Sequence, residues 1–263
     1  MIKALYNGAS GMTAQSLNID VVANNLANLS TNGFKKNQVD FQDLIYVNEG
    51  IPGAVAFQGQ QAPTSIQVGS GTRVSGTPKL FFQGGLVNTG NSLDVAIEGQ
   101  GFFQVTLPNG ELRYTRDGAL RLNNTGQLVT SDGFLIQPQI TIPQDAISIS
   151  IGVDGTVSVI NAGAPNASVQ LGQITLVRFP NQAGLNAEGR NLFSETASSG
   201  APIIAVPGQV GAGLLRQFFL ERSNVEPVVE LINLILAQRA YEFNTRSVRA
   251  ADEMLASTTQ LVQ

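Results

Sequence analysis

The side chains that could do acid–base or metal chemistry in this sequence are carboxylates, because it contains neither histidine nor cysteine. Asp94 and Glu98 stand four residues apart and could form an acid pair of the kind that glycosidases use. Asp117, Asp132 and Asp154 could bind calcium, but each directly precedes a glycine. Because an Asp in such a turn accepts hydrogen bonds from its own backbone, we expect all three to stabilise turns.

Other common catalytic and cofactor-binding patterns are missing from the sequence. Without His and Cys there can be no Ser-His-Asp triad, no Cys-His pair and no zinc held by imidazole or thiolate. The stretches "GSGTR" and "EGQGFF" lack the spacing of phosphate-binding loops. The stretch "RYTRDG", 113–118, could bind an anion, but its alternating charges favour an exposed strand face. We therefore expect no cofactor, no metal and no enzymatic activity.

Composition and charge exclude further classes of protein. The chain has 263 residues and a formal net charge of -4, which argues against nucleic acid as a partner because such binding requires cations that neutralise phosphates. It contains no run of about 18 apolar residues that could span a membrane. Its first residues also lack the apolar run of roughly 7–15 residues found in secretory signals. We expect no membrane insertion and no cleaved signal peptide.

A seven-residue apolar repeat predicts a helix within residues 1–46. Four apolar residues stand seven apart, and two more follow the later members by three, as in a helix that packs against another helix. Asp20 is the only charged residue between Ala4 and Asn28. Since neutral amides lose less free energy than charges on leaving water, we expect the polar face to be covered as well. The stripe consists of Leu5, Met12, Ile19, Val22, Leu26 and Leu29.

A second helical pattern occupies residues 222–263. Ser223 and Glu226 match an S-x-x-E capping box, and Pro227 is tolerated only in a first turn. A helix from residue 228 to residue 263 would be about 50 Å long. Its apolar stripe must therefore be covered by the first helix, by another subunit or by both, and the uncharged first helix favours assembly. The stripe has two rows in sevens, Val229, Leu236, Phe243 and Ala250, and Ala240, Ser247, Met254 and Leu261.

Between the helical ends, the sequence changes to the two-residue period of strands. Residues 47–73 are rich in Gly, Gln and Pro and predict an extended connector. Residues 74–221 show short alternating strands separated by turn dipeptides, with Asn109-Gly110 at the tip of a predicted hairpin. The sequence thus predicts an α+β protein with a discontinuous coiled-coil domain of two terminal helices and a central antiparallel all-β domain.

Three stretches form motifs in a fixed order: "ANNLANLSTNGFK", then "NSLDVAIEGQGFFQV", then "SNVEPVVELINLILAQRAYEFN". Together they resemble the bacterial flagellar basal-body rod and hook family of axial proteins. The length and the connector are most similar to the distal-rod branch, while a proximal-rod paralogue of similar size and the usually longer hook proteins are the alternatives. The motif residues are Asn24, Asn25, Asn28, Thr31, Gly33, Phe34, Ser223, Asn224, Gln238, Arg239, Ala240, Tyr241 and Glu242.

This resemblance implies a structural subunit that forms a rigid hollow drive shaft, transmits torque and lets export substrates pass. The terminal helices would surround a central channel, the β-domain would face outward, and residues 47–73 would contact neighbouring subunits. The implied partners are other copies in a helical homopolymer, the proximal rod proteins, the hook protein, the L- and P-ring proteins and the flagellar type III export apparatus. The implied location is the periplasm-spanning rod. The competing hypothesis, a secreted β-domain enzyme or carbohydrate-binding protein, depends on Asp94 and Glu98 alone.

Overall fold

The structure is a computed structural model that describes residues 2–48, 55–57, 60–61, 66–163 and 167–261. For residues 55–57, 60–61 and 259–261 it describes the backbone without the side chains. Parts of the predicted connector (49–54, 58–59 and 62–65) and the side chain of Leu261 therefore lie outside the described residues.

Within the described residues the chain forms a helix at each end and strands between them. Helix α1 is Ile2–Ala27, helix α2 is Pro227–Leu261, and a 3-10 helix covers Gln182–Gly184. The predicted α+β class is confirmed. The strands are β1 Asp40–Asp43, β2 Val47–Asn48, β3 Val55–Phe57, β4 Gln60–Gln61, β5 Gln67–Val68, β6 Thr72–Gly76, β7 Leu86–Asn88, β8 Val95–Glu98, β9 Phe102–Thr106, β10 Leu112–Thr115, β11 Arg121–Leu122, β12 Leu128–Val129, β13 Leu135–Gln137, β14 Ala146–Ile151, β15 Thr156–Asn161, β16 Ser168–Gln173, β17 Leu176–Arg178, β18 Asn186–Gly189, β19 Leu192–Ser194, β20 Ile203–Ala205, β21 Leu214–Gln217 and β22 Phe219–Glu221.

The chain divides into two compact units, and the first contains both long helices. This helical unit comprises Met1–Leu26, Asn37–Pro78 and Pro227–Gln263. Besides the helices it holds three antiparallel strand pairs, β1 with β6, β2 with β5 and β3 with β4.

Glycines of α1 bring the two helices close together. A Cβ atom on Gly8 would lie 2.5 Å from Cγ2 of Val248, and one on Gly11 would lie 2.7 Å from Nδ2 of Asn244. Since the later α1 residue meets the earlier α2 residue, the helices run antiparallel. The missing side chains at these two positions therefore allow an approach that a larger residue would prevent.

The beginning of α2 confirms one expectation and corrects another. Pro227 is the first residue of the helix, so it lies in the first turn, as the sequence predicts. The capping box, however, is wrong, because Ser223 lies four residues before the first helical residue. Its Oγ instead accepts a hydrogen bond from the backbone N–H of Val225 at 3.4 Å, which closes a local turn.

The second compact unit, Ala27–Lys36 and Lys79–Glu226, contains the antiparallel β region. Its main sheet has the order β11-β12-β13-β9-β10-β19-β18, and β17 pairs with both β9 and β20. Strands β14, β15 and β16 form a separate antiparallel sheet. The predicted hairpin at Asn109-Gly110 is confirmed, since β9 and β10 pair and Gly110 has a φ of 84°.

Strand β9 organises the core of the β unit because it is buried on both faces. Phe103 and Val105 point into the larger apolar cluster, which also contains Ile97. Phe102 points to the opposite face, where its ring meets that of Phe193 edge-on at 5.8 Å. Burial of each such side chain stabilises the fold by about 1.5–3 kcal/mol, and edge-to-face ring pairs add to that.

We expect Gly118→Ala to lower the free energy of unfolding of the β unit by about 3 kcal/mol. A Cβ atom there would lie 1.8 Å from the carbonyl oxygen of Val95, and the backbone of Gly118 also accepts a hydrogen bond from Val95 N–H. The new methyl group must therefore push two paired segments apart. Urea unfolding followed by circular dichroism measures the loss.

Gly85→Ala is the matched control for this experiment. No atom lies within 4 Å of its Cβ position, and its φ is not in the left-handed region, so we expect a change within about 0.5 kcal/mol. Equal unfolding curves for the two variants would contradict the close contact at Gly118.

Candidate functional site

The two acids that could form a catalytic pair are each held by structural partners. The carboxylate of Asp94 accepts hydrogen bonds from Thr89 Oγ1 at 2.6 Å and from Asn91 Nδ2 at 2.9 Å. Glu98 accepts a hydrogen bond from Arg216 Nε at 2.5 Å in an exposed ion pair. Asp94 thus stabilises a turn and Glu98 a pair of adjacent strands, and neither has the surroundings expected of a general acid.

The aspartates that precede turn glycines act as predicted at two positions. Asp117 Oδ1 accepts a hydrogen bond from Ala119 N–H at 3.1 Å. Asp154 accepts two from Thr156, one from its N–H and one from its hydroxyl, and these hydrogen bonds hold the pKa of Asp154 below its ordinary value. That Asp132 stabilises its own turn stays a prediction. No cluster of three or more acidic side chains that could hold a metal occurs within the described residues.

The Asn-Gly turn after α1 packs within the β unit at a position where only glycine is tolerated. Gly33 has a φ of 67°, as the sequence predicts for this turn. Its N–H donates to the carbonyl oxygen of Glu221 at 2.8 Å, and a Cβ atom would lie 2.8 Å from the backbone of Arg116. The turn is therefore held by residues that are distant in the sequence.

Next to this turn, three charged side chains form what we call the buried ion triad: Lys35, Arg116 and Glu221. Lys35 Nζ lies 2.7 Å from Glu221 Oε1, and Arg116 Nε lies 2.6 Å from Glu221 Oε2. All three side chains are buried. The expectation of an exposed, alternating strand face at 113–118 is therefore wrong for Arg116, although Arg113 does form a surface ion pair with Glu188.

Backbone groups complete the hydrogen bonding of the buried ion triad. Arg116 donates to the carbonyl oxygens of Gly99, Gly101 and Ile97. Lys35 Nζ donates to Phe82 O at 2.8 Å, and Gly84 N–H donates to Glu221 Oε1 at 2.9 Å. Buried charges are tolerated when they are paired and fully hydrogen-bonded. These contacts therefore fix the backbone segments that carry the carbonyl and amide groups.

The charge balance of the buried ion triad accounts for the pKa values of its members. One carboxylate lies between two cations, so the site holds an excess of positive charge. Burial raises the pKa of Glu221, but the charges of Arg116 and Lys35 and the hydrogen bonds that they donate together outweigh burial and hold that pKa below its ordinary value. Burial also lowers the pKa of Lys35, and the repulsion from Arg116 acts in the same direction.

Asn224, in the C-terminal motif, links the backbone at Lys36 to the backbone at Leu80 and Phe82, beside the buried ion triad. Its Oδ1 accepts a hydrogen bond from Lys36 N–H at 2.8 Å, and its Nδ2 donates to Leu80 O at 2.8 Å and to Phe82 O at 3.2 Å. This arrangement needs a donor and an acceptor on one short side chain, which an amide provides. Phe34 contacts the same region, because the ammonium of Lys79 lies 4.9 Å from its ring centre.

The asparagines of the N-terminal motif stabilise the end of α1. Asn25 is buried, and its side chain both donates to Asn37 O and accepts from Asn37 N–H at 2.9 Å. Thr31 donates from its hydroxyl to Asn28 Oδ1 at 3.1 Å. Asn24 lies on an exposed part of the helix. The low charge of this segment is thus explained in part by its amide side chains, which hydrogen-bond to backbone groups without carrying a charge.

The predicted packing residues of α1 are all at least partly covered. Val22 is buried, and the others are half-buried, namely Leu5, Met12, Ile19, Leu26 and Leu29; Leu29 lies in the turn just after α1, which ends at Ala27. Met12 contacts α2, since its Sδ lies 3.4 Å from Oγ1 of Thr245.

On α2, most members of the predicted apolar rows are exposed. The contacts with α1 described above come from Asn244, Thr245 and Val248, which belong to neither row. Leu236 and Phe243 are 61% and 63% exposed. We call this exposed face the outer row; its members are Val229, Leu236, Phe243, Ser247, Ala250 and Met254.

The remaining motif residues lie on the surface of α2. Arg239 and Glu242 form an exposed ion pair at 2.9 Å. Gln238 and Tyr241 are exposed, and Ala240 is half-buried. The pair Arg239 and Glu242 supports the helix only weakly, because exposed pairs at this spacing contribute a few tenths of a kcal/mol.

Comparison with known proteins identifies the family. Residues 5–35 match the model of the flagella basal body rod protein, residues 96–159 that of the flagellar hook protein FlgE/F/G D1 domain, and residues 216–261 that of the flagellar basal body rod FlgEFG protein C-terminal region. The flagellar basal-body rod protein FlgG of Caulobacter vibrioides is 46% identical over 99% of both chains. That of Buchnera aphidicola subsp. Schizaphis graminum is 45% identical over 99% of this chain and 100% of its own. The chain belongs to the flagellar basal-body rod family.

This rod protein is a structural subunit of the bacterial flagellum and assembles in the basal body with other flagellar components. The family models match both helices and part of the β unit, which are the regions whose motifs pointed to the family. Within the described residues, neither helix is apolar enough over a sufficient length to cross a membrane.

Sequence reasoning did not single out the buried ion triad of the rod protein. Lys35 belongs to the N-terminal motif and Arg116 to the stretch "RYTRDG", but lone basic residues are usually exposed. Glu221 directly follows three apolar residues in "FFLER", and this position is a signal that could have indicated a buried ion pair.

We expect Glu221→Gln to lower the free energy of unfolding by about 3–5 kcal/mol at neutral pH, because it leaves two buried cations without a counter-charge. The matched control is Glu98→Gln, which removes an exposed ion pair and should cost about 0–1 kcal/mol. Urea unfolding of both variants tests this. A cost for Glu221→Gln no greater than that of the control would contradict the role of the triad.

The effect of Glu221→Gln should also depend on pH. Because the pKa of Glu221 is lower in the folded chain than its ordinary value of 4.5, the unfolded chain binds the proton more readily, and the carboxylate stabilises the fold fully above about pH 4.5. That contribution is lost as the pH falls through the folded pKa. We therefore expect the difference between the native chain and Glu221→Gln to be constant from about pH 7 to 5 and to shrink at lower pH. A difference that grows on acidification would contradict this assignment.

Proposed function

We propose that this rod protein is the subunit of the distal rod and polymerises helically into a rigid hollow drive shaft that carries torque to the hook and lets export substrates pass. The observation that supports this proposal best is the outer row of α2. Large apolar side chains are exposed along α2, Leu236 and Phe243 of the outer row among them, and such exposure indicates a surface that another protein covers. The sequence relationships favour the distal branch, since the FlgF protein of Caulobacter vibrioides is only 34% identical to this chain.

The terminal helices supply the polymerising part in this proposal. Residues 1–46 and 222–263 form the inner domain around the channel, and the predicted packing residues of α1 and α2 act within and between subunits. The low charge of α1 supports close packing, because identical charges would repel one another at every repeated contact.

The rest of the chain faces outward in the proposed rod. Residues 74–221 form the outer domain, and residues 47–73 contact neighbouring subunits and stiffen the tube. The proposed partners are the proximal rod proteins, the hook protein and the L- and P-ring proteins. The chain reaches the periplasm through the flagellar type III export apparatus without a cleaved signal peptide.

Leu236→Asp should abolish rod assembly while leaving the single chain folded. Because Leu236 is 61% exposed, the new charge costs the isolated subunit no more than about 0.7 kcal/mol of helix propensity, but it would be buried without a partner in the polymer. In cells that lack the native chain, we expect no swimming in soft agar and no complete rods in electron micrographs of basal bodies.

Leu236→Met is the control, because it keeps an apolar side chain of similar size and helix propensity. It should restore swimming, and urea unfolding of the purified chains should be alike for both variants. Complete rods and normal swimming with Leu236→Asp would refute the proposal that the outer row is a subunit contact.

A further inference from the structure

We propose that the Asn109-Gly110 turn is a site of spontaneous modification, at which the folded chain slowly converts Asn109 to aspartate and isoaspartate. The sequence contains three Asn-Gly pairs, at positions 7–8, 32–33 and 109–110. All three are candidates from the sequence, because glycine has no side chain to shield its backbone nitrogen from the preceding amide. The structure separates them, since it fixes the first two pairs and exposes the third.

The reaction needs only the chain and water. The backbone nitrogen of Gly110 loses its proton to hydroxide and attacks Cγ of Asn109; a C–N bond forms, the bond from Cγ to the amide nitrogen breaks, and ammonia leaves with a proton from water. Water then opens the cyclic imide at either of its two carbonyl carbons. One opening gives aspartate, and the other gives isoaspartate, whose backbone is one carbon longer. The net exchange of NH2 for OH adds a negative charge at neutral pH.

Asn109 and Gly110 lie at the exposed tip of the hairpin between β9 and β10. No atom of the described residues lies within 4 Å of a Cβ position on Gly110. Gly110 N–H donates to Leu107 O at 2.9 Å, and Asn109 Oδ1 accepts a hydrogen bond from Glu111 N–H at 3.1 Å. Both contacts stay within the loop, so the loop changes shape without separating β9 from β10. Such exposed segments open at the lowest free-energy cost in a fold.

The Asn32-Gly33 pair is fixed by the rest of the β unit. Gly33 is buried, and its N–H donates to Glu221 O at 2.8 Å. Its backbone lies against that of Arg116, and Asn32 O accepts a hydrogen bond from Asn191 Nδ2 at 3.3 Å. The nitrogen of Gly33 reaches the side chain of Asn32 only if the turn leaves these partners. The reaction at Asn32 is therefore as rare as that opening.

The Asn7-Gly8 pair lies inside helix α1. The helix occupies the backbone N–H of Gly8 in its regular hydrogen bonding, and Gly8 is buried where α1 meets Val248 of α2. The side chain of Asn7 is held as well, because its Nδ2 donates to Gly69 O at 3.1 Å. This pair reacts only after α1 unwinds at a contact with α2.

The two products change the hairpin in different ways. Aspartate keeps an oxygen that accepts from Glu111 N–H, but it places a second acid beside Glu111, whose carboxylate already pairs with Arg113. Isoaspartate lengthens the backbone by one carbon and so disturbs the hydrogen bond from Gly110 N–H to Leu107 O. The surface at this end of the hairpin thus becomes more negative as the chain ages.

Mass spectrometry of the ageing protein tests this inference. The purified full-length chain is kept in mildly alkaline buffer, which speeds a reaction that begins with loss of a proton, and samples are digested at the start and at intervals. Fragment ions assign the gain in mass to each Asn-Gly pair. We expect the converted fraction at Asn109 to exceed that at Asn32 and at Asn7 by at least about tenfold. In concentrated urea the three rates should become alike.

Asn109→Gln is the matched control, because it keeps an exposed amide but would have to close a larger ring. Its peptide should keep its mass over the same period, and its circular dichroism should match that of the native chain. Equal conversion of Asn109 and Asn32 in the folded chain, or conversion of Asn109 only in urea, would overturn the inference. The measurement is made on the dissolved chain, so neither result affects the proposed polymer.

Discussion

The carboxylate of Glu221 lies between the buried cations of Lys35 and Arg116, and the β unit is arranged around that contact. A buried carboxylate flanked by two cations is stable only if the remaining donors and acceptors also find partners. The carbonyl groups of Gly99 and Gly101 accept hydrogen bonds from Arg116, and the amide of Gly84 donates one to Glu221. Segments that are far apart in the sequence are thereby held in one geometry, and loss of the carboxylate affects all of them.

The same requirement explains the motif after α1. Gly33 needs a positive φ and has no space for a side chain, because its backbone lies directly on Arg116 and donates to Glu221. Asn224 continues the contact with three hydrogen bonds to neighbouring backbone groups. The residues that follow α1 and those that precede α2 therefore meet within the β unit. Gly33 and Asn224 of the two terminal motifs thus supply hydrogen-bond partners to buried groups of the β unit.

In the helical unit the constraint is of another kind. α1 and α2 use glycine and small side chains to approach each other, so the large apolar residues of α2 remain on the outside. An isolated subunit would leave these apolar side chains in water, which is unfavourable in free energy. In the proposed polymer this surface is covered by other copies of the chain.

The sequence by itself determined the α+β class, the hairpin at Asn109-Gly110, the place of Pro227 in the first turn of α2 and the family, because each depends on local periodicity, on turn chemistry or on linear motifs. Tertiary structure alone decided which side of α2 meets α1, since a seven-residue repeat shows that a stripe exists but not which partner covers it. It also decided that Ser223 does not cap α2 and that Arg116 is buried. The burial of Arg116 depends on Glu221, which lies 105 residues away in the sequence, and no local pattern encodes such a meeting.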